Sequence, residues 1–280
     1  MRKFYLRNAS GEEYDLQDRT KVLFVNPTGL GFSEQDVFQQ VGNSFVSLDS
    51  SYSQMSIGGD VVFLGEDPYK TYYDFARFLS KSPLVMRYVP SDGMEYFIRL
   101  KATSLDKAEV TYVDAMMASI TFTALSPFYK SFAVYNKGEV EGGTKTYEYT
   151  YNYEYTDDVA QTIVLQSDSS LPSPVKLTIF GPATNPRWSH YVNGQVVERG
   201  LLTGTIESGH KLVIDNTTVP FKIGEYTNSG TFVADRYELC DFSTERFMYT
   251  KFGTNRFSIS HDGPEILPMS VETNIEYETV

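Results

Sequence analysis

The chain has 280 residues, 41% hydrophobic and 15% aromatic, enough to fill one large β domain or two ordinary ones. Its net charge is −12 and no run of Lys and Arg occurs, which argues against nucleic acid and against anionic membranes or wall polymers as electrostatic partners. Cys240 is the only cysteine, so neither an internal disulfide framework nor a cysteine-based zinc site is available.

The opening MRKFYLRNASGEEYDL has early positive charges but no apolar run behind them, unlike a signal peptide. No later stretch approaches the roughly 20 apolar residues of a membrane span, so no membrane insertion is expected. RKFYLR (2–7) and TKVLFV (20–25) read as short strands, with NPTGLGFS (26–33) as a breaker. From Asn43 to Leu64 the pattern suggests SFVSL, SQMSI, a Gly58-Gly59-Asp60 turn and VVFL.

Residues 67–82 are the one clear helix. Asp67 suits the N-cap and Pro68 the first helical position, while Tyr72, Phe75, Ala76 and Leu79 make one apolar stripe. Arg77 falls on the solvent side, and Pro83 forces Ser82 out of the α region. LVMRYV (84–89), EYFIRLKATSL (95–105), KAEVTYV (107–113) and ASITFTAL (118–125) follow as strands, with SDG at 91–93 as a hairpin turn. SPFYK (126–130) ends this block.

The Gly- and charge-rich NKGEVEGGTK (136–145) reads as a boundary, leaving a first domain at 1–135 and a second at 146–280. Residues 1–130 hold 13 Lys and Arg against 16 Asp and Glu, a net of −3, whereas residues 131–280 hold 11 against 20, a net of −9. In the second block YEYTYNYEY (147–155), QTIVLQS, VKLTIFG, QVVERGLL, KLVIDN, ERFMYTKF and NRFSIS alternate with LPSP, GPATNP, NTTVPF and HDGPEILP. The resulting fold class is all-β with one short helix, built as two β-sandwich domains.

The first block resembles the distal tail protein family of siphophages. The resemblance rests on Gly29-Leu30-Gly31-Phe32, the helix residues Tyr72, Phe75, Phe78 and Leu79, the strand Pro83-Leu84-Val85-Met86-Arg87-Tyr88, and the closing Ser126-Pro127-Phe128-Tyr129. It implies a C-terminal domain of galectin-like or jelly-roll form, to which GPATNP (181–186), VNGQ (193–196), TGTIESGHKLVID (203–215) and TERFMYTKFGTNRFSI (244–259) would align. It further implies a virion part of the tail tip, assembled in the host cytoplasm: a homo-hexameric ring made by the N-terminal domain. The partners implied are copies of itself, the tail tube protein and the tail-tip or adhesion proteins.

For catalysis the sequence offers little. His190, His210 and His261 stand apart, each near an expected turn, with no HExxH, no GxSxG and no phosphate loop. No catalytic residue, cofactor or metal site is selected, and a carboxylate pair for sugar hydrolysis cannot be picked from 36 Asp and Glu. A lectin is the alternative, contacting host-surface glycans through Asn185, Arg187, Trp188 and His190; against it stands a Trp188 that anchors the core. Tyr147, Tyr149, Tyr151, Tyr153 and Tyr155 would share one strand face, suited to an interface, a sandwich face or a sugar platform.

Overall fold

The computed structural model describes residues 2–31, 34–112, 115–136, 161–241 and 247–280. The expected tyrosine ladder at 147–155 and most of the expected boundary at 136–145 lie outside the described residues. The chain is mostly strand, with a single α-helix and one turn of 3₁₀-helix among the described residues. It divides into two compact units, Met1–Lys130 with Glu276–Val280, and Ser131–Ile275. The last five residues, read from sequence as part of the second domain, thus group with the first unit.

The first unit contains β1 (Lys3–Arg7), β2 (Glu13–Asp15), β3 (Gln17–Asp18), β4 (Val22–Thr28), β5 (Glu34–Val41), β6 (Ser44–Tyr52), β7 (Ser56–Phe63), α1 (Pro68–Leu79), β8 (Leu84–Val89), β9 (Tyr96–Tyr112) and β10 (Ala115–Ala124). All of its pairings are antiparallel, in the order β2-β1-β8-β9-β10-β7-β4-β3. The segment 13–18 pairs with β1 at one end and β4 at the other, and Leu16 N–H donates to the Phe4 carbonyl at 2.9 Å. The sheet therefore curls back on itself around Phe4, Leu6, Phe24, Ile57, Phe63, Met86 and Ile98, all buried. Alternation is strict in β8, where Leu84, Met86 and Tyr88 point inward.

Helix α1 begins as its sequence dictates. Asp67 caps it by accepting the Lys70 N–H at 2.9 Å, and Pro68 occupies the first turn. It ends at Leu79, earlier than the expected residue 82, where the Ser80 N–H closes the last turn on the Ala76 carbonyl. The buried face is Phe75, Phe78 and Leu79, and Arg77 is exposed. Tyr72, expected inside, is only half-buried, because the helix is rotated so that Phe78 takes the inner place against Tyr14.

Two strand expectations need correction. Gly58-Gly59-Asp60 is not a turn but the middle of β7, paired with β10 on one side and β4 on the other. Gly59 is there for space: a Cβ at this position would lie 2.5 Å from the Phe24 ring. Residues 95–105 and 107–113 are not two strands either, since β9 runs unbroken from Tyr96 to Tyr112.

β11 (Phe128–Asn136) leads into the second unit, which contains β12 (Gln161–Ser167), β13 (Ser173–Phe180), β14 (Ala183–Thr184), β15 (Arg187–Val192), β16 (Gln195–Leu201), β17 (Thr205–Ile206), β18 (His210–Asp215), β19 (Lys222–Thr227), β20 (Phe232–Asp235), β21 (Tyr249–Thr250), β22 (Gly253–Ser260) and β23 (Met269–Tyr277). One sheet runs β20-β19-β18-β13-β23 and a second runs β12-β22-β15-β16. Each buries one face: Leu177, Ile179, Leu212 and Val271 in the first, Ile163, Leu165, Trp188 and Phe257 in the second. β23 went unread in the sequence, although its residues alternate inside and outside without a break as far as Ile275.

Candidate assembly surface

Six exposed apolar side chains of the first unit lie on one element. β5 and β6 form a two-stranded ribbon that pairs only with itself among the described residues. Val41-Gly42-Asn43-Ser44 makes the turn, with Gly42 at φ +64, a conformation that a side chain would strain. The ribbon carries Val37, Phe38, Val41, Phe45, Val46 and Leu48, all exposed, with Phe38 at 59% and Phe45 at 69%. At its base Tyr52 packs against the core.

The register prevents the ribbon from covering its own apolar groups. Val37 stands opposite Asp49, Phe38 opposite Ser47, Val46 opposite Gln39 and Phe45 opposite Gln40. Direct cross-strand apolar pairs, which stabilise a hairpin, are therefore absent at these positions. A lone two-stranded ribbon is marginal in water. Burying the two phenylalanines alone would contribute about 1.5–3 kcal/mol each. Glu34, Asp36 and Asp49 are the charged residues of the ribbon, so a matching surface is apolar with a neutral or basic rim. The sequence pattern EQDVFQQVGNSFVSLDSSY contains the signal in its apolar residues beside a Gly-Asn loop, but nothing in it says that no third strand packs there.

The residues expected to meet sugar lie in the second unit. Trp188 is 1% exposed and sits over Gly200 on the paired strand, where a Cβ would fall 2.1 Å from the indole. Trp188 is thus the core anchor, and no face of it is open. His190 is fully buried and stacks on Phe257 at 4.5 Å. Asn185 and Arg187 both bond Asp262, at 2.7 and 2.6 Å. Hydrogen bonds from Arg187 and then Asn185 hold the Asp262 carboxyl below its ordinary range. The structure brings Asn185 and Arg187 together on Asp262 and places Trp188 and His190 inward.

Two histidines have partners that sequence spacing did not reveal. His190 Nδ1 lies 2.6 Å from Glu198 Oε2, and Nε2 lies 3.0 Å from Asn255 Oδ1. Asn255 is oriented by its own contacts, since its amide donates to the Lys251 and Gly253 carbonyls and its Oδ1 accepts the Lys251 N–H. His190 Nε2 must therefore be the donor in that bond. Elsewhere the buried Glu225 receives the Arg236 Nε–H at 2.8 Å and contacts His210. Burial pushes the Glu225 carboxyl up, but the hydrogen bonds from Arg236 and His210 outweigh it and leave the group below its ordinary range. Neither set presents a nucleophile, and no group of three or more His, Cys, Asp or Glu able to hold a metal occurs among the described residues.

Residues 3–125 match the family model of the distal tail protein, N-terminal domain. No curated protein matches the chain by sequence. Among solved structures, a chain of the phage P2 baseplate in its activated conformation with Ca is similar at 16% identity and a TM-score of 0.62, each chain covered in full. The SPP1 Dit (gp 19.1) protein, described as a paradigm of the hub adsorption apparatus in phages infecting Gram-positive bacteria, aligns at 9% identity and a TM-score of 0.65, with 98% of this chain and 99% of that one covered. These likenesses extend the shared fold beyond the matched domain, over the whole length. The residues quoted for the resemblance from Gly29 to the strand at 84–89 lie inside the matched region and Ser126-Pro127-Phe128-Tyr129 just beyond it, so residues 3–125 form a domain of the distal tail protein N-terminal type.

Proposed function

We propose that the protein is a structural component of a phage tail tip, forming a hexameric ring that joins the tail tube to the tail-tip or host-adhesion proteins. The observation that carries this reading is the β5–β6 ribbon, an apolar arm inside the family-matched domain that its own fold leaves uncovered. A cyclic assembly supplies each arm with the same neighbouring surface, which closes the ring through one repeated heterologous contact. The smaller charge of residues 1–130, −3 against −9, eases close approach of like copies there.

In this reading residues 1–135 make the ring. Residues 161–275 form a galectin-like β-sandwich on its outside, its two sheets facing each other across the buried residues described above. The protein works in the virion after assembly in the host cytoplasm, and it acts by binding rather than by turnover.

The test uses the full chain with and without its tail tube and tail-tip neighbours, sized by mass photometry. Six-copy particles are expected, and Phe38→Ser with Phe45→Ser should abolish them while leaving the thermal unfolding of the monomer unchanged. Persistence of a monomer with both neighbours present, or rings unaffected by the double substitution, would sink the proposal.

A further inference from the structure

The outer face of the β20-β19-β18-β13-β23 sheet is not a flat polar surface. Its register stacks three rows across the strands. The first row reads Glu272, Lys176, Asp215, Lys222. The second reads Ser270, Thr178, Val213, Gly224, all small. The third places Phe180, Lys211 and Tyr226 side by side. Side chains two apart in a strand share a face, so a row of small residues between two rows of long ones must form a trough. Thr178 at 4% and Val213 at 8% exposure are its floor, sunk between their taller neighbours.

The trough, about 330 Å³, meets a second depression of about 1000 Å³ beside β20, and Lys222 and Tyr226 line both. The second part is walled by aromatic rings: Phe221 and Phe232 are exposed, and Tyr237 stands near Phe247. Gly224 lies at the junction. Its φ is not in the left-handed region, so the backbone does not require glycine. A Cβ there would come within 3.0 Å of the Tyr226 ring and 3.5 Å of the Phe232 ring. Gly224 adjoins a bulge, where the β19–β20 register shifts between Glu225 and Tyr226, and its missing side chain lets the Tyr226 and Phe232 rings pack edge to face over it, with centroids 5.5 Å apart.

The charges decide what that molecule is. Lys176 is paired with Glu272 at 2.9 Å, and Lys211 lies over the Phe180 ring. Asp235 and Glu238 line the aromatic part, with Lys222 between the two parts. Cations and carboxylates therefore alternate along the trough, and no single sign is left to recognise an anionic or cationic chain. Hydroxyl-bonding groups at one end, aromatic faces at the other and a balanced charge suit a polymer with hydroxyl edges and apolar ring faces. The trough crosses five strands, roughly 19 Å at about 4.8 Å per strand spacing. We infer that this face binds an uncharged oligosaccharide chain, several sugars long, through Tyr226 and Phe232 over Gly224. This site is distinct from the buried Trp188 region and does not depend on ring assembly.

The experiment is a microarray of bacterial oligosaccharides and polysaccharides, neutral and anionic, probed with the full chain, followed by titration calorimetry of the bound glycan. Binding to neutral glycans of several residues is expected. Phe232→Ala should weaken it about tenfold or more, as loss of an anchoring aromatic does, and Gly224→Val should abolish it by filling the junction. Phe232→Ala removes an exposed ring, so its unfolding temperature should match that of the parent and separate lost binding from lost fold. No binding anywhere on the array would overturn the assignment. So would binding of anionic glycans alone, affinity unchanged in both variants, or cover of this face by a tail-tip polypeptide shown by hydrogen exchange.

Discussion

The two units are held together by different means. In the first, Asn8 is the one buried polar side chain among the described residues, and the interior is hydrocarbon and aromatic ring from Phe4 to Phe128. In the second, the buried residues include His190, Glu198, Glu225, Asn216, Asn255, Thr250 and Thr178. Asn216 shows what such groups do: its side chain accepts the Val175 N–H at 2.8 Å and donates to the Met248 carbonyl at 3.1 Å, tying three chain segments at one point. An apolar interior tolerates exchange of like for like. A polar interior fixes its partners, and it becomes costly when one partner is lost.

The largest effects should come from removing one member of a buried charged set. Glu225→Ala would leave Arg236 and His210 facing a vacated, desolvated position, for a loss of about 3–5 kcal/mol. Replacing Glu225 and Arg236 together by apolar residues of similar volume should cost much less than the single change. Urea unfolding of the full chain, followed by hydrogen exchange in β18 and β19, measures both. If the double variant is no more stable than the single one, the contrast between the units is misconceived.

In the first unit the corresponding change is one of volume. Phe75 is fully buried between Tyr14 and Phe63, and Phe75→Ala should cost about 3–5 kcal/mol through lost transfer energy and a residual cavity. Leu79→Ala belongs to the same class, at about 2–5 kcal/mol. The difference from the second unit is that Phe75→Leu should recover most of the loss, because the site asks only for apolar volume. Chemical denaturation of the three variants decides this, and a Leu79→Ala loss under about 0.5 kcal/mol would mean that the helix face is misassigned.

The units should also part company along the pH axis. Glu225 has its carboxyl lowered in the folded protein, so its contribution is present above the ordinary carboxylate range and lost as pH falls through the lowered value. Glu12 and Asp18 in the first unit are also lowered, but they lie at solvent, where such pairs contribute little. Burial raises Tyr14, Tyr52 and Tyr129 in the first unit. A raised tyrosine favours the neutral ring in the folded state, so stability is lost as pH climbs past about 10. Amide exchange should therefore rise first in the second unit in acid and first in the first unit in alkali. The reverse order at either end would break the comparison.

What the sequence made legible follows the same division. Where the signal was local, as in the Asp67-Pro68 helix start or the alternation of 84–89 and 161–167, the elements appear where expected. Where a residue answers to something distant, sequence misleads. Gly59 reads as a turn because its reason, the Phe24 ring, lies on another strand. Gly200 likewise answers to Trp188. His190 looked isolated because Asn255 is 65 residues away, and the trough needed the registers of five strands before its three rows lined up. The exposed ribbon was unreadable for the opposite reason: apolar strand residues normally imply a sheet to pack on.

The smallest effect sharpens the comparison at its most local point. Asp67 accepts the Lys70 N–H with its side chain and the Thr71 N–H with its backbone carbonyl, so the carboxylate satisfies one free donor at the start of α1. No other acidic residue stands in the first turn to replace it. Asp67→Ala should therefore cost about 1 kcal/mol, within the roughly 0.5–2 found for lost caps, and Asp67→Ser should restore most of it. That cost is small beside Phe75→Ala because the helix is held mainly by the face it buries, with the cap adding only to its first turn. Denaturation of the two variants measures the difference. If Asp67→Ala costs as much as Phe75→Ala, local capping rather than apolar burial holds the helix, and the account of the first unit as a core of interchangeable volume fails.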